Sequence, residues 1–420
     1  MSKWLNARGG VGLSVAACII ALGISTSSYA RDDTLFAAAK AERQPTLDTL
    51  KELVSFDSGT LNGDGVKKVA DIAEGRLKAM GFATERVDAK PSVGVKLVGR
   101  IAGKGTRKLL LLAHMDTVYL DGTAARQPFH IDGNKAYGAG IGDDKAGIAV
   151  VLHATRLMLA SGFDDFARIT VLFNADEERG SPGSRELIKT LAAESDAVLS
   201  FEGTGIDQET IRTGTSGITR VTVTITGKAS HAGVAPERGV NALVEAADLV
   251  LRTQDLDDPK GVRFNWTVER AGEVANVIPD HATVQADVRY RRDEDLKATL
   301  AKLDERVAKK RLQDAVLKVD VLSGRPGMVP TAGSRRVVAL AQAIYGEIGL
   351  KLAESEGTGG ATDAAYAAQT NQAVVESMGL PSFGAHSNSD EYVLVDRIPA
   401  RLYLAVELMK RVLADRAPSL

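Results

Sequence analysis

The chain has 420 residues, 44% hydrophobic and 25% charged, which excludes a disordered, collagen-like or polytopic membrane protein. Its 52 basic and 54 acidic residues leave a formal charge of −2, without the basic excess that marks a nucleic-acid binder. One cysteine cannot build a disulfide framework or a cluster of thiolate metal ligands.

Met1 to Ala30 read as a secretory leader. Lys3 and Arg8 give a positive start, Val11 to Ile24 are mostly apolar, and Ser28-Tyr29-Ala30 offer small residues at a cleavage site. The apolar run is about 14 residues, where spanning a bilayer takes about 20. Cleavage after Ala30 would leave 420 − 30 = 390 residues with a charge of (52 − 2) − 54 = −4 and no cysteine, because Cys18 is lost. The expected location is periplasmic or secreted.

Residues 43–56 and 66–80 follow with helical periodicity. Three continuous apolar runs come next, at 109–113, 169–173 and 197–201, of the kind found in strands buried on both faces of a parallel sheet. Helical stretches at 146–160 and 184–193 separate them, which predicts an α/β layer with a mostly parallel central sheet. The texture changes near Gly217. Residues 220–226 alternate with period two, and the order after them is helix 240–252, strands 262–268 and 282–289, helix 293–311 and strand 315–321. That order is the split βαβ unit. The expected division is a leader at 1–30, a first catalytic part at 31–216, an inserted α+β unit at 217–326 and a second catalytic part at 327–420.

Each buried run ends in ionisable residues: His114-Met115-Asp116, Asp176-Glu177-Glu178 and Phe201-Glu202. Ligands of parallel α/β sheets bind beyond the carboxyl ends of the strands. Asp143-Asp144, after a glycine-rich turn, and His386 add to the set. Imidazole and carboxylate together suit zinc, and these candidates exceed what one ion uses, so two ions sharing a bridging carboxylate fit better. His153 lies within an apolar helix and is expected to pack in the core, while His130 and His281 sit near turns without a partner set. Gly138-Ala139-Gly140-Ile141-Gly142-Asp143 imitates a dinucleotide-binding loop, but Asp143 stands where the fingerprint needs glycine and would repel phosphate. No Gly-x-Ser-x-Gly nucleophile elbow occurs.

These motifs resemble the dizinc exopeptidase family that contains glutamate carboxypeptidases, aminoacylases and succinyl-diaminopimelate desuccinylases. The resemblance rests on residues 113–117, 140–145, 176–178, 200–202, 230–233 and 359–363, taken in family order. It implies two zinc ions per subunit, one held by His114, Asp143 and Glu202, the other by Asp143, Glu178 and His386. It implies a cis peptide between Asp143 and Asp144. Glu177 would be the general base, and Asp116 would orient the His114 ring. Arg289 would clamp a substrate carboxylate, Asn276 would assist at the scissile carbonyl, and the Gly359-Gly360 loop would approach the leaving amino acid. The insert would serve as lid and homodimer interface, with His231 reaching into the partner subunit's site. The implied activity is zinc-dependent release of a C-terminal amino acid, glutamate first, from folate-like or N-acyl small molecules. Aminoacylase or dipeptidase activity with another side-chain preference, and more remotely an exported solute-binding protein without catalysis, are the alternatives. The segment 203–212 and parts of the tail beyond Pro326 depart from the folate-cleaving pattern, so acyl-side specificity stays open.

Overall fold

The computed structural model describes residues 30–357, 359–387 and 390–414. The expected leader, apart from Ala30, lies outside the described residues. Among the described residues no helix is long and apolar enough to cross a membrane.

The three apolar runs form the middle of a six-stranded sheet. Arg168–Asn174 and Ala197–Ser200 flank Lys108–His114, and all three run parallel. The register sets His114 beside Asn174 and Leu112 beside Ser200, so their carboxyl ends share one edge. Val374–Val375 extends the parallel half beyond Ala197–Ser200. On the other side Val95–Ala102 and Ala83–Asp88 pair antiparallel. These two strands are absent from the sequence reading because Ala83–Asp88 carries no apolar run: it is a partly exposed outer strand, Thr84-Glu85-Arg86 included.

Helix Ala146–Ala160 is apolar on nearly all sides because it is enclosed. It packs against the sheet, Arg43–Val54, Gly63–Ala79 and the long C-terminal helix Ile398–Ala414. His153 sits on this helix, buried as expected. Its Nε2 lies 2.7 Å from Thr49 Oγ1, and its Nδ1 contacts Glu42, which also takes Arg156. This polar network fastens Arg43–Val54 to the helix whose amino end follows Asp143-Asp144. Burial opposes the charge of Glu42, but His153 and Arg156 outweigh it and hold its carboxyl below the usual range.

From Gly217 the chain builds a second layer. Strands Arg263–Ala271, His281–Tyr290, Gly217–Thr226 and Val316–Ser323 lie in that spatial order, all antiparallel. Helices Ala242–Arg252 and Asp293–Ala308 cover one face, and Val221, Val223, Ile225, Val284, Val288, Leu249 and Leu303 form a separate core there. The alternation legible in residues 220–226 is this one-faced burial. A two-residue ribbon pairing Ser230–His231 with Val277–Ile278 is an addition that the sequence reading lacks, too short for a period-two signal. The chain enters this layer at Ser216–Ile218 and leaves at Gly324–Arg325, and the two crossings are hydrogen-bonded, Ile218 N to Arg325 O at 2.9 Å and Gly324 N to Ile218 O at 2.9 Å.

His153→Ala leaves Glu42 and Thr49 buried without their shared partner. The expected loss of unfolding free energy is about 1–3 kcal/mol. Denaturant titration of the variant against the parent is the measurement.

Candidate metal centre

The chemistry gathers at the shared strand edge. His114 is the last residue of its strand and is buried. Its Nε2 stands 3.0 Å from Asp143 Oδ1. The other Asp143 oxygen, Oδ2, is 3.2 Å from His386 Nε2, and the same His386 nitrogen is 3.2 Å from Glu178 Oε2. Each oxygen of one carboxylate therefore faces a different imidazole. His114, Asp143 and Glu178 place ligand atoms within 4.8 Å of one another, and so do His114, Glu177 and Glu202. Contacts of 3.0–3.2 Å thus link His114, Asp143, His386 and Glu178, and Glu202 lies within 4.8 Å of His114.

Asp143 occupies a kinked turn with φ −130° and ψ 89°, and the Asp143–Asp144 peptide is cis, as the resemblance implies. Glu391 holds this turn from beneath. Its carboxylate accepts the backbone N–H groups of Gly140, Gly142 and Asp143 at 2.8–3.0 Å and the Tyr119 hydroxyl at 2.6 Å. Gly140 has φ +69°, a left-handed conformation that favours glycine. The second aspartate, Asp144, is fully buried and turns away to accept the N–H groups of His114 and Gly147, both at 3.2 Å.

Asp116 is fully buried. Its carboxylate accepts the N–H groups of Glu177 at 3.0 Å and Glu178 at 3.2 Å, and the Thr60 hydroxyl at 2.7 Å. His114 Nδ1 is 3.0 Å from the Asp116 main-chain carbonyl and 3.5 Å from its carboxylate. The Asp116 backbone is thus the nearer partner of the ring, and the carboxylate anchors the Glu177-Glu178 turn.

Glu177 is buried and ion-paired with Arg325, whose Nη2 lies 2.7 Å from Oε1; Arg325 also donates to the Glu177 carbonyl and, at 3.2 Å, to the Ala361 carbonyl. Burial pushes the Glu177 carboxyl up to about 8, although Arg325 and His114 pull the other way. Burial also raises Glu202, and the neighbouring carboxylates of Glu376, Glu177 and Asp143 add to the rise. Burial works against charge on Asp143 as well, but His114 and His386 on its two oxygens hold it well below the usual range. Among the described residues Glu178 Oε1 is buried without a hydrogen-bond partner. A concentration of buried acids, an orphaned carboxylate oxygen and two imidazoles on one carboxylate is a donor set that fits a pair of divalent cations.

The remaining expected residues lie on the inserted layer and the loop facing it. Arg289 is bound by Asp287, at 2.7 and 3.0 Å, and its Nη1 is 3.3 Å from the Gly359 carbonyl. Gly359 has φ +46°, and the Gly360 carbonyl accepts Ser216 N–H at 2.9 Å. His231 is exposed on the short ribbon, where its Nδ1 accepts the Gly233 and Val234 N–H groups, and the Asn276 carbonyl accepts Ala232 N–H. Among the described residues no hydrogen bond joins either to the expected metal ligands. Arg325 and Glu391 are functional supports absent from the sequence reading. The available signal was an arginine enclosed in Gly324-Arg325-Pro326-Gly327, a rigid turn; Glu391 offers none.

Residues 110–411, well over half of the chain, match the profile of peptidase family M20/M25/M40. The chain is 51% identical to carboxypeptidase G2 of Pseudomonas sp. strain RS-16 over 381 residues, covering 90% of this chain and 92% of that one. It is 27% identical to the succinyl-diaminopimelate desuccinylase of Acidovorax ebreus, over 85% and 95% of the two chains. The crystal structure of the aminopeptidase PepT from Bacillus cereus shares the fold with a TM-score of 0.76 at 23% identity, covering 88% of this chain and 98% of that one. The chain belongs to peptidase family M20/M25/M40 and is a metal-dependent peptidase.

Proposed function

We propose that the protein is an exported dizinc exopeptidase that hydrolyses an amide bond and releases a C-terminal amino acid, glutamate before others, from folate-like or N-acyl substrates. The observation that carries this reading is the Asp143 carboxylate, with His114 on one oxygen and His386 on the other, beside the buried Glu177. Similarity to a carboxypeptidase over nine-tenths of the chain supports release from the C-terminal side. The desuccinylase relative favours, as a second reading, the same chemistry on another N-acyl amino acid.

His114, Asp143 and Glu202 would hold one zinc, and Asp143, Glu178 and His386 the other. When bound, the pair supplies Lewis acidity and a nucleophile active near neutral pH. Glu177 acts as the general base. Its carboxylate, with Oε1 held 2.7 Å from Arg325 Nη2, accepts a proton and can return it to the leaving nitrogen. Arg325 and the Asp116-bound turn fix its position. Arg289 binds the substrate carboxylate through its guanidinium fork, sharing it with Asp287, and Gly359-Gly360 let the backbone approach the leaving residue.

Residues 31–216 with 327–420 form the catalytic unit in this reading, and 217–326 the lid. The lid also supplies a homodimer interface. Helix Ala242–Arg252 leaves Leu243, Val244 and Leu251 exposed, and Arg263–Ala271 is an outer strand of its sheet. His231 and Asn276 then serve the partner's site.

Purified protein is expected to release glutamate from folate, a chelator to abolish release and zinc to restore it. Glu177→Gln should load zinc as the parent does and lose about 10²–10⁴-fold in kcat; full activity in that variant overturns the mechanism. No release of glutamate by zinc-loaded protein moves the assignment to the second reading. Glu391→Ala removes the acceptor of three N–H groups around Asp143, and zinc affinity is expected to fall about 10–100-fold in chelator competition. Native mass spectrometry should find a dimer of chains beginning at Arg31; an intact Met1 overturns export, and a protomer mass overturns dimerisation.

A further inference from the structure

Two cavities flank Glu178 and Arg179. One, of about 650 Å³, lies between the two layers and is walled by Arg185, Arg220 and Arg325 together with Arg179. The other, of about 390 Å³, lies between the loops at 59–62 and 117–121. Its rim carries Leu61, 73% exposed, Val118, 40%, and Leu120, 78%, with Tyr119 behind them. Three large aliphatic side chains left in water around one concavity mark a binding surface, because a soluble protein gains nothing from exposing them together.

The loops that carry this ledge are not loose. Gly59 pairs with Thr117 in a β-bridge, and Thr60 N–H and Thr117 N–H reach across at 3.1 and 2.9 Å. A Cβ at Gly59 would lie 2.2 Å from the Tyr119 carbonyl, so only glycine permits the approach. Asn62 Nδ2 donates to Asp121 at 2.6 Å and closes the far end. Thr60 binds the Asp116 carboxylate that anchors Glu177 and Glu178, and Tyr119 binds the Glu391 carboxylate that anchors Asp143. The ledge is therefore held in register with both halves of the metal-ligand set.

We propose that Leu61, Val118 and Leu120 form the acyl-side subsite and select substrates with a bulky apolar or aromatic acyl group. This rests on the reading of the site as one that cleaves N-acyl amino acids. With the substrate carboxylate assigned to Arg289, the apolar ledge beside Glu178 is left for the acyl half. Burying a ring against two leucines removes apolar surface from water, and an acetyl group is too small to do the same. Thus the ledge acts on the choice of acyl group rather than on the identity of the released residue.

The test uses four substrates, N-benzoyl and N-acetyl forms of both glutamate and leucine, with zinc-loaded protein. The readout is the ratio of kcat/KM for benzoyl over acetyl within each amino acid. The parent is expected to favour benzoyl, and Leu61→Ser/Leu120→Ser to lower the ratio at least tenfold. Both side chains are exposed, so the variant should fold; if its melting temperature falls, Leu120→Ser alone is used and a drop of at least threefold is expected. A ratio unchanged by the substitutions overturns the subsite. Release of leucine but not glutamate overturns the glutamate preference while the ratio still judges the ledge. Turnover of none of the four by the parent overturns both.

Discussion

The constraint on which everything else depends is electrostatic. Asp143, Glu177, Glu178 and Glu202 are gathered around His114 and His386 at the edge of a sheet whose interior is aliphatic. Carboxylates brought together and withdrawn from water repel one another and lose hydration, so burial raises Glu177, Glu178 and Glu202 alike. Two divalent cations relieve that cost, which is why the arrangement reads as a metal centre rather than as a salt-bridged core. A fold that concentrates like charges must also prevent them from rotating apart. Here that work falls to groups one step further out. Asp116 holds the Glu177-Glu178 turn by its N–H groups, Glu391 holds the Asp143 turn in the same way, and Asp144 ties His114 to the start of the enclosed helix.

Much of this was legible in the sequence for a simple reason. A strand buried on both faces must be apolar along its length, so the residue where the apolar run stops marks the sheet edge. His114, Glu177-Glu178 and Glu202 all stand at such stops. The inserted layer was legible through its alternation, because a sheet covered on one face cannot be uniformly apolar. What sequence could not supply was pairing over long separations. Glu391 lies 248 residues from Asp143, and Arg325 lies 148 from Glu177. Nothing local distinguishes Glu391 from a solvated charge, and only the flanking glycines and Pro326 mark Arg325. The strands Ala83–Asp88 and Val95–Ala102 escaped notice because an antiparallel outer pair can hold charged residues at alternate positions. Roles for His231 and Asn276 came from resemblance alone, and one chain's fold leaves them on the lid ribbon.

Arg325 joins two parts of the molecule that could otherwise behave independently. Its backbone belongs to the crossing between the layers, where its carbonyl accepts Ile218 N–H and the Tyr290 hydroxyl. Its guanidinium reaches Glu177 and lies 3.5 Å from Asp363. A change in the angle of the inserted layer therefore moves the cation paired with Glu177. The pairing is short and buried, so its removal leaves an uncompensated buried carboxylate, the costly case for an ion pair.

The ligands are dispersed along the chain in a way that bears on the order of assembly. His114, Asp143, Glu178 and Glu202 all precede the inserted layer, whereas His386 and the supporting Glu391 follow it, 184 residues or more beyond Glu202. A polypeptide that appears amino end first presents four acidic or imidazole ligands long before the group that completes the constellation. The intervening segment has its own core and can condense in the meantime without them. A metal pair held by this set would therefore wait on His386, beyond the inserted layer, and the helix Ile398–Ala414 that packs on Ala146–Ala160 comes later still.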